Sequence, residues 1–264
     1  MPKFNANLTL LFTEVDLLDR FKAARDAGFT GVEIQAPYAY SKQELAERLQ
    51  SNGLTQVMHN LPVGDWARGD RGIACLPDRV GEFQNGVGQA IEYARALHCR
   101  QLNCLAGVAP AGADPERLYQ TLLENLQFAA AKLKAEGIRL LLEPCNTRDV
   151  PGFFINRSRQ ALELIDAVGS DNLYLQYDVY HMQVMEGDLA TTIGANLGHI
   201  GHFQIADNPG RHEPGSGEIN YPFLFDRLDA LGYRGWIGCE YKPAQSTVAG
   251  LGWIRPYLSR AGAA

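Results

Sequence analysis

The chain has 264 residues, 46% of them hydrophobic, and a formal net charge of −6. That length supports a sizeable core and suits an α/β barrel built as one unit; the acidic balance, with no long basic run, speaks against nucleic acid or an acidic membrane surface as the main partner. No segment approaches the roughly 20 apolar residues of a membrane span, the opening "MPKFNANLTLLFTEVD" turns acidic too soon for a signal peptide, and five scattered cysteines without a CxxC pair fit reduced thiols in a cytoplasmic protein.

Strand-like and helix-like runs alternate along the chain. The first strand candidate is "KFNANL" (3–8). The stretch "DLLDRFKAARDAGF" (16–29) then puts Leu17, Leu18, Phe21, Ala24 and Ala27 on one face at three- and four-residue steps, and Gly28 supplies the stop. Two more strand candidates follow, "GVEIQ" (31–35) and "LTQVMHNL" (54–61). The segment "NLPVGDWARGDRGIACLPDR" (60–79) carries too much glycine and charge for a helix. Loops of that length are usually functional or mobile, and in a barrel this one would lie over the C-terminal mouth. Next come "RQLNCLAG" (100–107) and the helix "DPERLYQTLLENLQFAAAKLKAEG" (114–137), with Asp114 and Pro115 at its start and Gly137 past its end. The series closes with "IRLLLE" (138–143), "LYLQYD" (173–178), "IGHFQIA" (200–206), the helix "YPFLFDRLDALGYRG" (221–235) and "WIGCEY" (236–241).

Eight such units of about 33 residues each predict a single (β/α)8 TIM barrel over residues 1–264. Most of the strands read as apolar on both sides, as expected when helices cover the outside and strands fill the inside. A doubly wound open sheet is the alternative, but it would carry a glycine-rich phosphate loop after its first strand, and "NANLTLLF" has no glycine.

In a barrel the C-terminal strand ends converge. They are Asn7, Gln35, His59 or Asn60, Asn103, Glu143, Asp178, Gln204 and Glu240. Each acid taken singly has an ordinary reading, such as Asp178 capping the segment after it. Three carboxylates crowded together repel strongly, and a divalent cation removes that cost. Glu143, Asp178, Gln204 and Glu240 form an all-oxygen set suited to Mg²⁺ or Mn²⁺; a buried ion-pair network with Lys or Arg is the alternative.

The stretches "LLLEPCN", "QYDVYHMQVMEGDL", "GHFQIADNPGRHEPGSGEINY", "WIGCEYKP" and "HNLPVGDWARGDRGIACLP" together resemble the hydroxypyruvate isomerase family, within the xylose-isomerase-like barrels. The resemblance covers nearly the whole chain. It implies metal ligands at Glu143, Asp178, Gln204 and Glu240, and proton transfer by Glu143 and Glu240. More distant sugar epimerases of this superfamily carry His at the Gln204 position, and "CNTRD" departs from the family's pattern. The reaction implied is interconversion of hydroxypyruvate and 2-hydroxy-3-oxopropanoate through an enediolate; the same chemistry on a 2-oxo-tetronate or at C3 of a ketose is the near alternative. Homo-oligomers are common among these barrels, so the resemblance also implies a homo-oligomer.

For a small 2-oxo acid, His181, three residues past Asp178, is a candidate hydrogen-bond donor to a substrate oxygen, and His59 a second contact. Arg71, Arg211 and Lys242 are candidate partners for the substrate carboxylate, with Arg offering a two-pronged fork. Glu218 is a candidate for positioning a loop, and Trp66 for excluding water. Two other classes remain. Metal-dependent phosphodiester cleavage is known on this barrel but uses several Zn²⁺ ions and many histidines, whereas this chain has six. A non-catalytic binding barrel would keep the fold without the chemistry.

Overall fold

The computed structural model describes residues 2–261. Eight parallel strands close into a barrel in sequence order: β1 (Lys3–Asn7), β2 (Gly31–Glu33), β3 (Thr55–Asn60), β4 (Gln101–Leu105), β5 (Arg139–Glu143), β6 (Leu173–Asp178), β7 (Ile200–Ile205) and β8 (Trp236–Cys239). The strand closing the ring is registered on the first, with Phe4 opposite Ile237 and Ala6 opposite Cys239. The helices between them include α1 (Leu17–Asp26), α2 (Lys42–Asn52), α3 (Val80–Ala96), α4 (Pro115–Ala135), α5 (Ser158–Val168), α6 (Val179–Met185), α7 (Leu189–Asn196) and α8 (Tyr221–Ala230). The predicted helix starts and stops are met closely: Phe21 and Ala24 of α1 are buried, Gly28 has φ +96°, and Asp114 caps α4 by accepting from the Glu116 amide at 3.0 Å. No helix among the described residues is long and apolar enough to cross a membrane.

The strand alternation of period two decides where the polar groups go. On β5, Leu140 and Leu142 point outward into the apolar cluster shared with the helices, while Leu141 belongs to a separate small cluster with Val57 and Met58. Two residues beyond Leu141 on the same side comes Glu143. On β8, Ile237 and Cys239 join the outer cluster, and Glu240 follows with the opposite facing.

This corrects one expectation. The strands are not apolar on both sides. The barrel interior above its apolar floor is a polar network: Asn5, Asn7, Glu33, Asn103, Gln176, His202 and Gln204 are all fully buried. Glu33 is its hub, accepting from Asn5 Nδ2 (2.8 Å), Asn7 Nδ2 (2.8 Å) and Gln204 Nε2 (2.7 Å) and pairing with His202 Nε2 (2.9 Å). Glycine at 238 makes room for it, because a Cβ there would lie 2.5 Å from Glu33 Oε2. The bonds around Glu33 make this part of the lumen rigid, while Asn5 Oδ1, Asn103 Oδ1, Gln176 Oε1 and His202 Nδ1 are buried without a hydrogen-bond partner.

The 60–79 segment is irregular, as the sequence predicts, with short 3-10 turns at Trp66–Arg68 and Pro77–Arg79. Gly72 pins it to the barrel. Its φ is +108°, it bridges Ala106, and a Cβ would sit 2.2 Å from the Leu105 carbonyl oxygen. The loop therefore leans over the C-terminal mouth.

Candidate active site

The mouth opens into a cavity of about 590 Å³ lined by Glu143, Glu240, His181, Arg211, Trp66 and Arg71, among others. That lies within the size range of small-molecule sites.

Glu143 ends β5 with one carboxylate oxygen fully engaged. Its Oε2 accepts from Asn103 Nδ2 at 2.6 Å and Gln176 Nε2 at 2.9 Å, while Oε1 lies 3.9 Å from His181 Nε2. Asp178 ends β6 and starts α6 without an intervening loop. Its Oδ1 accepts from the Tyr180 and His181 amides at 2.8 and 3.3 Å, so the capping reading holds for one oxygen. Its Oδ2 is buried without a hydrogen-bonding partner. Gln204 donates through Nε2 to Glu33 and Glu240 and accepts through Oε1 from Gln176 Nε2 at 2.7 Å. Glu240 Oε2 accepts from Asn7 Nδ2 at 3.0 Å as well, and its Oε1 meets Arg211 Nη2 at 2.5 Å.

These four residues converge through shared donors. Gln176 Nε2 touches both Gln204 Oε1 and Glu143 Oε2; Arg211 Nη2 lies 2.5 Å from Glu240 Oε1 and 3.5 Å from Asp178 Oδ2; His181 Nε2 lies 3.5 Å from Asp178 Oδ2. Three buried carboxylates thus share one guanidinium. Burial works against the charge of Arg211, but Glu240, Asp178 and Glu143 hold it firmly protonated. One cation is too little for them. Burial, reinforced by Glu240 and Asp178, pushes Glu143 well above the usual carboxylate range. Burial likewise pushes Glu240 up to about 8, against the pull of Arg211. Glu33 behaves differently: burial raises it, yet His202 and the amide donors bring it below the usual value.

The undercompensated charge, the orphaned Asp178 Oδ2 and the all-oxygen donors make this a place that fits a divalent cation. A second donor set, Glu143, Cys145 and His181, has ligand atoms within 4.8 Å of one another. It mixes S, N and O and would favour a softer ion.

Of the other residues singled out in the sequence, Arg211 comes closest to the carboxylates. It adopts φ +58° after Gly210, and its guanidinium also stacks 5.2 Å from the Tyr180 ring centroid. Arg71 lines the cavity, lies 3.6 Å over the Trp66 ring, and donates to the Trp66 and Asp70 carbonyls. Trp66 is 55% exposed at the rim. Lys242 is exposed and lines a neighbouring depression with Arg148, Tyr180 and Arg211 rather than the cavity itself. The choice between His59 and Asn60 falls to Asn60, which lines the cavity. The His59 ring turns toward Tyr38, at 6.0 Å between centroids, and burial lowers it to about 3. Glu218 accepts from Asn208 Nδ2 (2.6 Å) and Gln183 Nε2 (3.0 Å), which ties the loop after β7 to α6.

Sequence reasoning missed Glu33, Gln176 and Asn146. For Glu33 a signal existed: an acid between Val32 and Ile34 in a three-residue strand has nowhere to point but the lumen. Gln176 alternates with Asp178 in the same way. Asn146 gave no such signal, because its role depends on the loop after Pro144.

A family model described as xylose isomerase-like TIM barrel matches residues 21–257. Hydroxypyruvate isomerase of Escherichia coli (strain K12) is 54% identical over 257 residues, 97% of this chain and 100% of that protein. A 2-oxo-tetronate isomerase of Cupriavidus necator is 49% identical over 260 residues, 98% of this chain and 100% of that one. A crystal structure of an AP endonuclease, family 2, from Brucella melitensis superposes with a TM-score of 0.95 at 46% identity, covering 97% of this chain and 99% of the other.

Proposed function

Because the chain belongs to the xylose isomerase-like TIM barrel family, we propose that it is a hydroxypyruvate isomerase, interconverting hydroxypyruvate and 2-hydroxy-3-oxopropanoate by proton transfer through an enediolate. The observation that carries this reading is the convergence of Glu143, Asp178, Gln204 and Glu240 beside Arg211 at the cavity floor. The 54% identity to a hydroxypyruvate isomerase over its full length supports the substrate.

Glu143, Asp178, Gln204 and Glu240 would hold a divalent cation, and their oxygen donors favour Mg²⁺ or Mn²⁺. Such an ion supplies Lewis-acid polarisation of the substrate carbonyl and offsets negative charge as it develops. The side chains divide the remaining work. Arg211, the cation nearest the carboxylates, takes the substrate carboxylate; Arg71 stands at the rim as a second partner. Glu143 Oε1, the carboxylate oxygen not tied to an amide, would exchange a proton with substrate carbon; the engagement of Oε2 by Asn103 and Gln176 supports this. Glu240 Oε1 becomes free for the same task when Arg211 turns to the substrate. One carboxylate removes the C3 proton of hydroxypyruvate and the electron pair moves to the C2 oxygen; the proton of the C3 hydroxyl passes to the C2 oxygen, and a proton returned at C2 leaves the carbonyl at C3. Proton transfer by positioned carboxyls is worth roughly 10²–10⁴ in rate. Trp66 and the 60–79 loop limit water at the mouth.

The AP endonuclease name of the Brucella melitensis structure raises the phosphodiester alternative. A multi-zinc centre needs several imidazoles, and among the described residues His181 is the one histidine lining this cavity. His202 is committed to Glu33, and His59 faces Tyr38.

The test is incubation of the Mg²⁺- or Mn²⁺-loaded protein with hydroxypyruvate in D₂O, followed by NMR at C2 and C3. The expected product is the aldehyde isomer bearing deuterium at C2. Turnover of four-carbon 2-oxo acids without turnover of hydroxypyruvate would move the assignment to the 2-oxo-tetronate activity of the Cupriavidus necator relative.

A further inference from the structure

The residue that sets the chemistry of His181 lies outside the carboxylate cluster. After Glu143, Pro144 ends the strand ladder, and Asn146 comes to rest fully buried behind the His181 ring. The Asp149 amide donates to Asn146 Oδ1 at 2.7 Å. A backbone N–H can only donate, so this bond fixes which end of the side-chain amide is oxygen. The other end, Nδ2, therefore points at His181 Nδ1, 2.7 Å away. The Asn146 backbone N–H reaches the same ring nitrogen at 3.2 Å. Two donors face one nitrogen, so that nitrogen presents a lone pair and the ring proton sits on Nε2.

The far side of the ring agrees. Nε2 looks across the cavity at Asp178 Oδ2 (3.5 Å), which accepts no hydrogen bond and otherwise has only the Arg211 guanidinium beside it at 3.5 Å, and at Glu143 Oε1 (3.9 Å). A lone pair there would face the Asp178 carboxylate; an N–H is attracted to it.

We propose that Asn146 is a positioning residue that locks His181 as a neutral imidazole with its proton on Nε2, so that His181 acts on the substrate as a hydrogen-bond donor and neither as a base nor as a metal ligand. The part concerning substrate rests on the isomerase reading; the part concerning the ring proton does not. Two consequences follow. The proton-abstracting group is then a carboxylate of the cluster, because His181 has no free lone pair toward the cavity. The trio of Glu143, Cys145 and His181 cannot close on a soft ion while Asn146 occupies Nδ1 and the proton occupies Nε2, so the tautomer also steers the site toward oxygen ligands.

The experiment is ¹⁵N NMR of protein labelled in the histidine rings, metal-free and substrate-free at pH 7, with His181 assigned by its loss in His181→Gln. The expected spectrum shows His181 Nδ1 at the unprotonated position and Nε2 at the protonated one. A ring protonated on Nδ1, or on both nitrogens, overturns the proposal, and this reading of the wild type needs no variant to fold. Asn146→Asp replaces the donor by an acceptor of the same shape. It is expected to move the proton to Nδ1, lower kcat by roughly 10- to 100-fold with a smaller effect on KM, and raise Zn²⁺ affinity. Asn146→Ala, which retains the backbone donor, is expected to keep the wild-type tautomer. An Asn146→Asp protein with the wild-type ring spectrum refutes the role of the side chain. Absence of hydroxypyruvate turnover in the wild type would count against the isomerase reading, and the ring spectrum would still decide the role of Asn146.

Discussion

Uptake of a divalent ion is expected to expel protons from the site, and the pH dependence follows from two shifted carboxyls. In the metal-free protein Glu240 is pushed up to about 8 and Glu143 well above the carboxylate range, by burial first and by their acidic neighbours. At pH 7 roughly nine in ten molecules therefore hold a proton on Glu240. A cation needs both groups ionised, so binding at pH 7 should release at least about one proton per ion, and the apparent affinity should rise at least about tenfold per pH unit between pH 6 and 7. The same shifts fix the sign for stability. A carboxyl raised from 4.5 to about 8 leaves the metal-free fold holding more protons than the unfolded chain throughout that interval. Stability without metal should then fall as pH rises through it, and saturating metal should remove the trend. Calorimetric titration with Mn²⁺ in two buffers of different ionisation enthalpy counts the protons, and melting curves from pH 5 to 8 check the stability. An affinity flat between pH 6 and 8, with no buffer-dependent heat, would refute the reasoning.

Other perturbations separate the roles of the residues. Glu240→Gln keeps an oxygen toward the cation but cannot carry a proton; kcat should fall by roughly 10²–10⁴ with circular dichroism unchanged. Retained activity would mean that Glu240 transfers no proton. Arg211→Lys loses the fork that reaches Glu240 and Asp178. Loss of a charge-assisted bond of about 1.5–3 kcal/mol should lower kcat/KM by on the order of ten- to a hundredfold, chiefly through KM. Gly72→Ala forces a Cβ against the Leu105 carbonyl at φ +108°, so the melting temperature should drop by several degrees or more and KM should rise as the 60–79 loop loosens; wild-type values for both would show that the loop is not held there.

The barrel was legible because its period is. The helix stops at Gly28 and Gly137 and the eight strand-like runs needed only local physics, and the strands lie where those runs are, though β2, β3, β4 and β8 are each two or three residues shorter than the runs suggested. The strand-end acids were legible for the same reason: alternation carries Leu141 and Glu143 to the same face. The lumen was not, because a polar residue inside a barrel looks like any polar residue in a strand until its partner is known. Glu33 and His202 are 169 residues apart, and neither is explained without the other. His59 illustrates the opposite error. It ends an apolar strand as a functional histidine would, yet its side of β3 faces Tyr38, and the neighbouring Asn60 takes the cavity position.

The lumen network bears directly on how an amide can serve among acids. Gln204 Nε2 lies between Glu33 Oε1 and Glu240 Oε2, two acceptors that only an N–H can satisfy. Turned over, its carbonyl would meet both carboxylates. The oxygen is therefore forced to the other side, where Gln176 Nε2 links it to Glu143. Glu33 can do this because it stays charged while buried: His202 and three amides supply the stabilisation that water would otherwise give. The site thus has two tiers with opposite electrostatics. In the lower tier a carboxylate is neutralised and held ionised. In the upper tier Glu143 and Glu240 are left short of positive charge and pushed toward protonation. That unrelieved charge is the physical reason a doubly charged ion would be drawn to the upper tier and not to the lower.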